Sequence, residues 1–316
     1  MREAAAPWKI WTALGLVYVF WGSTYLGIKY VIETLPPLLS AGLRFTVAGG
    51  LMAAYLVVVR GGSPLRTTPR QLLVAAGTGV LLLLGGNGLI TLAEQQQLPS
   101  SLAALLVAGV PLYVVLLRAS TGDRPLARTV FGVVLGFAGV ALLLLPGARP
   151  EGVALGPALL CIAAGVSWSV GSFVSTRLPI PGDALLTSVI QMLAGGMSLA
   201  LVGWVRGEEL DLSSASGVSL AGLAYLVVFG SLVAFTAYSW LLGVAPVSKV
   251  STYAYVNPVV AVLLGVVIAG EAVGLSTVVG GAITVLAVAV VVSSGQRSPR
   301  AAGRPGSLAY SDQEPG

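Results

Sequence analysis

Residues 246–271 read PVSKVSTYAYVNPVVAVLLGVVIAGE, an apolar run that carries a lysine, serines, two tyrosines and an Asn-Pro pair. A core helix of a soluble protein rarely holds that much polarity beside a helix breaker. Residues 99–123, PSSLAALLVAGVPLYVVLLRASTGD, have nearly the same layout, with proline at the start and again twelve residues later. The two runs make the fold a question of repetition as well as of hydropathy.

Composition settles the solvent. The chain has 316 residues, 56% hydrophobic and 9% charged, with a mean hydropathy of +0.93. A soluble domain of this length cannot hide so much apolar surface, so the chain reads as an all-α integral membrane protein. The single cysteine, Cys161, excludes an intramolecular disulfide, and the absence of histidine removes the commonest metal ligand. No P-loop, His/Glu metal pattern or paired midmembrane carboxylates are present, so neither a cofactor, a metal nor a nucleotide motor is expected.

A bilayer core of about 30 Å takes roughly 17–25 apolar residues per helix. Ten segments fit: 10–28, 38–59, 72–92, 100–117, 126–145, 153–174, 184–205, 218–242, 247–270 and 275–292. The first is too long for a signal-peptide core and reads as a retained helix. With the N-terminus inside, thirteen of the 17 Lys/Arg fall in cytoplasmic segments, while Lys29, Arg149 and Arg206 are external and Arg44 is intramembrane. That bias predicts both termini in the cytoplasm. It also explains the net charge of +5 without nucleic acid. The polar stretch 294–316 reads as a disordered cytoplasmic tail.

Sliding the chain against itself by 147 residues places Pro99 on Pro246, Pro111 on Pro258 and Trp21 on Trp168. At 146 the AGG of 48–50 meets the AGG of 194–196, and at 148 Asp123 meets Glu271. The chain thus divides into two five-helix halves, 12–145 and 155–293. Because five is odd, the second half is inverted in the membrane, an arrangement found in secondary transporters that hold substrate near the midplane. Pro111 and Pro258 then break equivalent helices and free the carbonyls of Val107 and Ala254 near one site; the competing reading is a pair of packing kinks.

At FWGSTYLGIKY, PLLSAGLRFTVAGG, AEQQQLPSSLAALLVAGVPL and STYAYVNPVVAVLLGVVIAGE the chain resembles EamA-type permeases of the drug/metabolite transporter superfamily, over residues 12–293. The resemblance implies a ten-helix inner-membrane carrier that works by alternating access and exports amino acids, other small metabolites or drugs. It also implies acids after the fourth and ninth helices. Here these are Asp123, where glutamate is usual, and Glu271, and both read as structural.

Polar groups within the spans mark a cavity or bond neighbouring helices. Asn87, Thr91, Glu94 and Gln95 fall on one helical face; Ser251 and Tyr255 share another just before Asn257. Thr24, Ser172, Thr236 and Tyr238 are further candidates, and Trp21 and Trp168 are placed to flank the cavity or fill the core. Arg44, about 9 Å into its span, either snorkels outward or faces the path and attracts a carboxylate. Gly132 and Gly136 allow close helix contact, within one chain or across a homodimer.

The leading expectation is a secondary carrier exporting amino acids or similar metabolites. The alternatives are efflux of drugs or toxic cations, with Glu94 as the available acid, and a channel. With Glu94 and Glu271 at outer helix ends, transport is expected to run without obligatory proton coupling.

Overall fold

Large apolar side chains cover the outside of the structure: Val58, Leu73, Val267 and Leu275 are all strongly exposed. In water such a surface would aggregate; in a bilayer it faces lipid. The computed structural model describes residues 6–60, 67–145, 154–245 and 247–294, all helix or connection, with no strand among them. Most of the predicted tail and the centre of the linker between the halves lie outside these residues. Ser294, assigned to the tail from sequence, instead ends the last helix, where its hydroxyl pairs with that of Thr129 at 2.7 Å.

Eight helices among the described residues are long and apolar enough to cross a membrane. They are built from α3 (Pro37–Arg60), α4 (Pro69–Gly79) continuing to α5 (Leu89–Gln95), α6 (Ser100–Val107) with α7 (Val110–Ser120), α8 (Ala127–Leu144), α9 (Leu155–Arg177), α10 (Ala184–Val205), α11 (Gly217–Tyr225) continuing to α12 (Ala234–Val244), and α15 (Leu275–Ser294). The other two predicted spans are interrupted. Segment 10–28 forms α1 (Pro7–Gly22) and α2 (Thr24–Val31), parted at Ser23, and segment 247–270 forms α13 (Val247–Val250) and α14 (Tyr253–Val267).

Local chemistry sets these ends. Thr68 and Gln71 make a reciprocal capping box ahead of Pro69, Asp183 accepts the amides of Leu185 and Leu186, and Ser216 accepts that of Ser219. Where a helix is broken inside the membrane, hydroxyls take up freed carbonyls. Thr24 donates to Trp21 O at 2.6 Å and Ser23 to Phe20 O at 3.1 Å. Ser169 of α9 donates to Val110 O, at the start of α7, at 3.1 Å.

Two spans carry π-helical segments, Val80–Gly88 between α4 and α5 and Leu226–Val233 between α11 and α12. Sequence periodicity does not reveal these. Gln95, expected on the face of Asn87 and Glu94, points outward, and Thr236 is likewise exposed. The wider turn leaves carbonyls to be satisfied, and Ser167 of α9 donates to Leu81 O at 2.8 Å.

Lipid offers no hydrophobic drive between helices, so close backbone approach holds them together. The tightest pairs are α3 with α10 and α8 with α15. A Cβ on Gly42 would lie 2.8 Å from Ala200 N, and one on Gly196 2.8 Å from Thr46 N. Gly132 and Gly136 pack on Val291, Ala287 and Leu112 of the same chain. That places this small-residue face within one copy.

The prolines are less alike than their spacing. Pro111 occupies the first turn of α7, after the chain has already broken at Ala108–Gly109. Pro258 lies inside α14, and the break there comes earlier, at Ser251–Thr252. Proline in a first turn loses no helical bond, so Pro111 marks the restart of a helix and only Pro258 removes a bond from within one.

Candidate functional site

The breaks and π-helical segments converge on one internal cavity of about 140 Å³. Trp21 and Thr24 reach it from either side of Ser23, Asn87 from the end of the first π-helical segment, Gly230 from the second, and Pro111, Asn257 and Pro258 from the broken helices. Trp168 of α9 closes one side, lying against Gly86, where a Cβ would come within 2.7 Å of the ring. Trp21 sits at the centre of an aromatic cluster, with ring centroids 5.0 Å from Tyr238, 5.2 Å from Tyr253 and 5.3 Å from Phe235.

Two polar groups in this lining lack ordinary partners. Arg44 is 4% exposed, its Nε donating to Ser231 Oγ at 3.0 Å and its guanidinium carbon 4.5 Å from the Phe45 ring centroid. Among the described residues no carboxylate lies within ion-pair distance of it. The outward snorkelling weighed from sequence is not what the structure holds. Asn257 Oδ1 is buried with no hydrogen-bond partner among the described residues. A buried cation without a counter-anion, near an unpaired acceptor, suits a ligand that brings both an anion and a donor.

At one end the cavity continues into two wider recesses. One, about 500 Å³, is lined by Arg118, Asp123, Arg124, Ser172 and Ser251. The other, about 400 Å³, is lined by Ser172, Thr176, Thr187, Gln191 and Tyr238. Both share Trp168 and Tyr253 with the central cavity. Asp123 pairs there with Arg118 at 2.8 Å and Arg177 at 3.5 Å, and the Arg118 bond holds its carboxyl below the ordinary range.

The opposite end is sealed. Glu271 Oε1 accepts from Lys29 Nζ at 3.1 Å, Ser100 N at 3.0 Å and Ser100 Oγ at 2.8 Å, while Oε2 accepts from Ser101 N at 3.0 Å. This carboxylate caps the N-terminus of α6, where the helix dipole favours an anion. Burial alone would raise its pKa, but the Ser101, Ser100 and Lys29 bonds outweigh it and hold the group at about 2. Gly270, with φ of +62°, turns the chain so that Glu271 folds back, and a Cβ on Gly265 would lie 2.6 Å from its Oε2. Glu208 likewise accepts the amides of Leu38 and Leu39, both at 2.9 Å, capping α3. Behind this seal Glu94 is 5% exposed, and neither of its oxygens has a partner among the described residues.

Of the residues read from sequence, Trp21, Thr24, Arg44, Asn87, Pro111, Trp168, Asn257 and Pro258 line the central cavity. Ser172, Tyr238 and Ser251 line the recesses, and Thr91 lies beside a small gap next to Arg44 and Asn87. Tyr255 does not join them; it packs with Leu112, Val133 and Val288 between α7, α8 and α15. The break at Ser251–Thr252 shifts the register, so Tyr253 faces the cavity in its place. Lys29, Ser100, Ser231 and Phe235 escaped sequence reading because their partners come from the other half of the chain. The repeat offered a signal for Lys29: a 148-residue shift pairs it with Arg177, as it pairs Asp123 with Glu271.

Comparison with known proteins agrees with this architecture. The inner membrane transporter YedA of Escherichia coli K12 is 40% identical over 283 residues, covering 89% of each chain. A probable amino-acid metabolite efflux pump of Salmonella typhimurium is 25% identical over 81% of this chain and 85% of its own. A crystal structure at 23% identity superposes with a TM-score of 0.62 over 90% of this chain and 96% of the other, which speaks for the fold alone. The model of the EamA-like transporter family matches residues 8–145 and again 155–293. The chain is therefore a membrane transporter belonging to the EamA-like transporter family.

Proposed function

We propose that this transporter is an alternating-access secondary carrier, made of ten spans in two inverted repeats, that exports amino acids or similar small metabolites. The observation that carries the substrate class is Arg44, a buried guanidinium in the central cavity with no carboxylate partner among the described residues. It supplies paired N–H donors for a ligand carboxylate. The unpaired Asn257 Oδ1 is an acceptor for an ammonium group, and the rings of Trp21, Trp168 and Tyr253 offer an apolar bed for a side chain. The described lining holds no carboxylate, which disfavours free cations as cargo. The names of two relatives, amino-acid metabolite efflux pumps at 25% and 24% identity, support the same class.

The gates support the inverted-repeat reading. The π-helical segments start at Val80 and Leu226, 146 residues apart. The ion pairs Lys29–Glu271 and Arg177–Asp123 correspond at an offset of 148 residues, which is 177 less 29 and 271 less 123. Glu271 is seated on the amides of α6, whereas Asp123, 43% exposed, stands in an open recess. In this reading the structure is the inward-open state, with both termini and the recesses cytoplasmic. The outward-open state exchanges the two roles: Asp123 seats on the start of α13 and Glu271 lets go of α6.

Substrate class is tested by binding. The purified carrier is titrated with a panel of L-amino acids, their amides and the corresponding amines, following intrinsic tryptophan fluorescence. Acids that quench where amides and amines do not support the Arg44 reading. Equal response to amines and acids overturns it.

A further inference from the structure

We propose that Glu94 is a proton-binding site, occupied while the outer end is closed, so that the proton of the outer solution is a ligand of this carrier. The inference rests on the gate assignment above, but not on the identity of the cargo. Chain position placed Glu94 at an outer helix end, one of the two nearest candidates for a proton site, and transport was expected to run without obligatory proton coupling. In the structure its side chain is buried behind the Glu271 seal, with both oxygens lacking any hydrogen-bond partner among the described residues.

The charged and titratable groups facing Glu94 are Lys29 and Tyr25 of α2, Cys161 of α9 and Glu271 of the α14–α15 connection. Lys29 is the one cation among them, and it is bound to Glu271 at 3.1 Å, whose oxygens also take two amides and a hydroxyl. A carboxylate with neither water nor donors is unstable in an apolar site, so Glu94 holds a proton as the neutral acid. Among the described residues no group of three His, Cys, Asp or Glu side chains is placed to hold a divalent ion there.

The location gives the proton a role. Tyr25 faces Glu94 and also lines the central cavity, and Lys29 belongs to the outer seal, so Glu94 stands between cargo and exterior. When Lys29 and Glu271 leave α6, water reaches Glu94. Its O–H bond then breaks heterolytically, the proton passes to water as hydronium, and the carboxylate is balanced by the released Lys29 ammonium. Re-closure reverses the step, taking one proton from the outer solution. External acid therefore favours the closed outer end and external alkali the open one, while the proton, taken from and returned to the same side, does not itself cross the membrane.

The test is infrared spectroscopy of the full chain in lipid vesicles, wild type against Glu94→Gln, which needs no transported molecule. At pH 7 the wild type is expected to show the C=O band of one protonated carboxyl, absent from E94Q and lost reversibly as the wild type is titrated to alkaline pH. Since the wild-type titration stands alone, poor folding of E94Q does not blunt the test. A wild type with no protonated carboxyl at pH 7, or a band that persists in E94Q, overturns the proposal. Loss of the band on adding sodium at constant pH also overturns it, marking a metal site instead. Failure of every amino acid to bind refutes the cargo reading and leaves this assignment unaffected.

Discussion

Arg44 is the residue on which the chemistry turns. A charge-assisted hydrogen bond contributes about 1.5–3 kcal/mol, and tenfold in affinity is about 1.4 kcal/mol. Arg44→Gln is thus expected to weaken carboxylate binding by about 10- to 150-fold, read as a rise in apparent Kd in the fluorescence titration. Arg44→Lys restores charge but not the planar fork, and recovery should be partial. A variant that binds acids as well as wild type would show Arg44 to be a packing group held by Ser231. Arg44, Asn87, Asn257 and the two tryptophans were legible in the sequence, because polar or bulky residues in apolar runs announce themselves. The direction of each side chain was not. Tyr255 was placed with Ser251 on helical spacing, and the break at Ser251–Thr252 cancels that spacing.

At the scale of elements, paired prolines and tryptophans in the sequence led to the proposed repeat, while nothing in it pointed to the π-helical segments. A π turn adds a residue to the turn without changing composition, so hydropathy carries no sign of it, and the exposure of Gln95 at the end of α5 and of Thr236 in α12 was not legible either. The prolines now separate into two predictions. Pro258→Ala restores a bond within α14 and should slow transport while leaving the melting temperature unchanged or higher. Pro111→Ala should be milder, since the break precedes it and the first turn needs no N–H. Initial transport rates and thermal melts of the two variants check this, and equal loss would show that the prolines act as a symmetric pair after all. Gly265→Ala tests the Glu271 seal. Its Cβ would press on Glu271 Oε2, and such overpacking costs about 1–3 kcal/mol. The variant is expected to melt lower, and an unchanged melt would mean that Glu271 has room to move.

For the whole molecule, orientation came from counting Lys and Arg, whereas the state of the gates could not be read from one chain of letters. Thr121 and Ser213 are both exposed, on opposite ends in the proposed topology, and native Cys161 is buried. An impermeant thiol reagent added to intact cells should label Ser213→Cys and spare Thr121→Cys; the reverse pattern would invert the topology. The Glu271 seal also has a pH dependence of defined sign. Glu271 is held at about 2 against an ordinary 4.5, so its contribution is complete above about 4.5 and is lost as pH falls through about 2. Glu271→Gln should remove that dependence from acid melts. The central claim, a carrier that alternates around Arg44, is tested most directly by counterflow in liposomes with a radiolabelled L-amino acid that the titration identifies. Alternating access predicts that unlabelled amino acid inside the vesicles accelerates label uptake, that uptake saturates, and that Arg44→Gln abolishes the acceleration. Uptake that rises linearly with concentration and ignores the amino acid on the far side would contradict it.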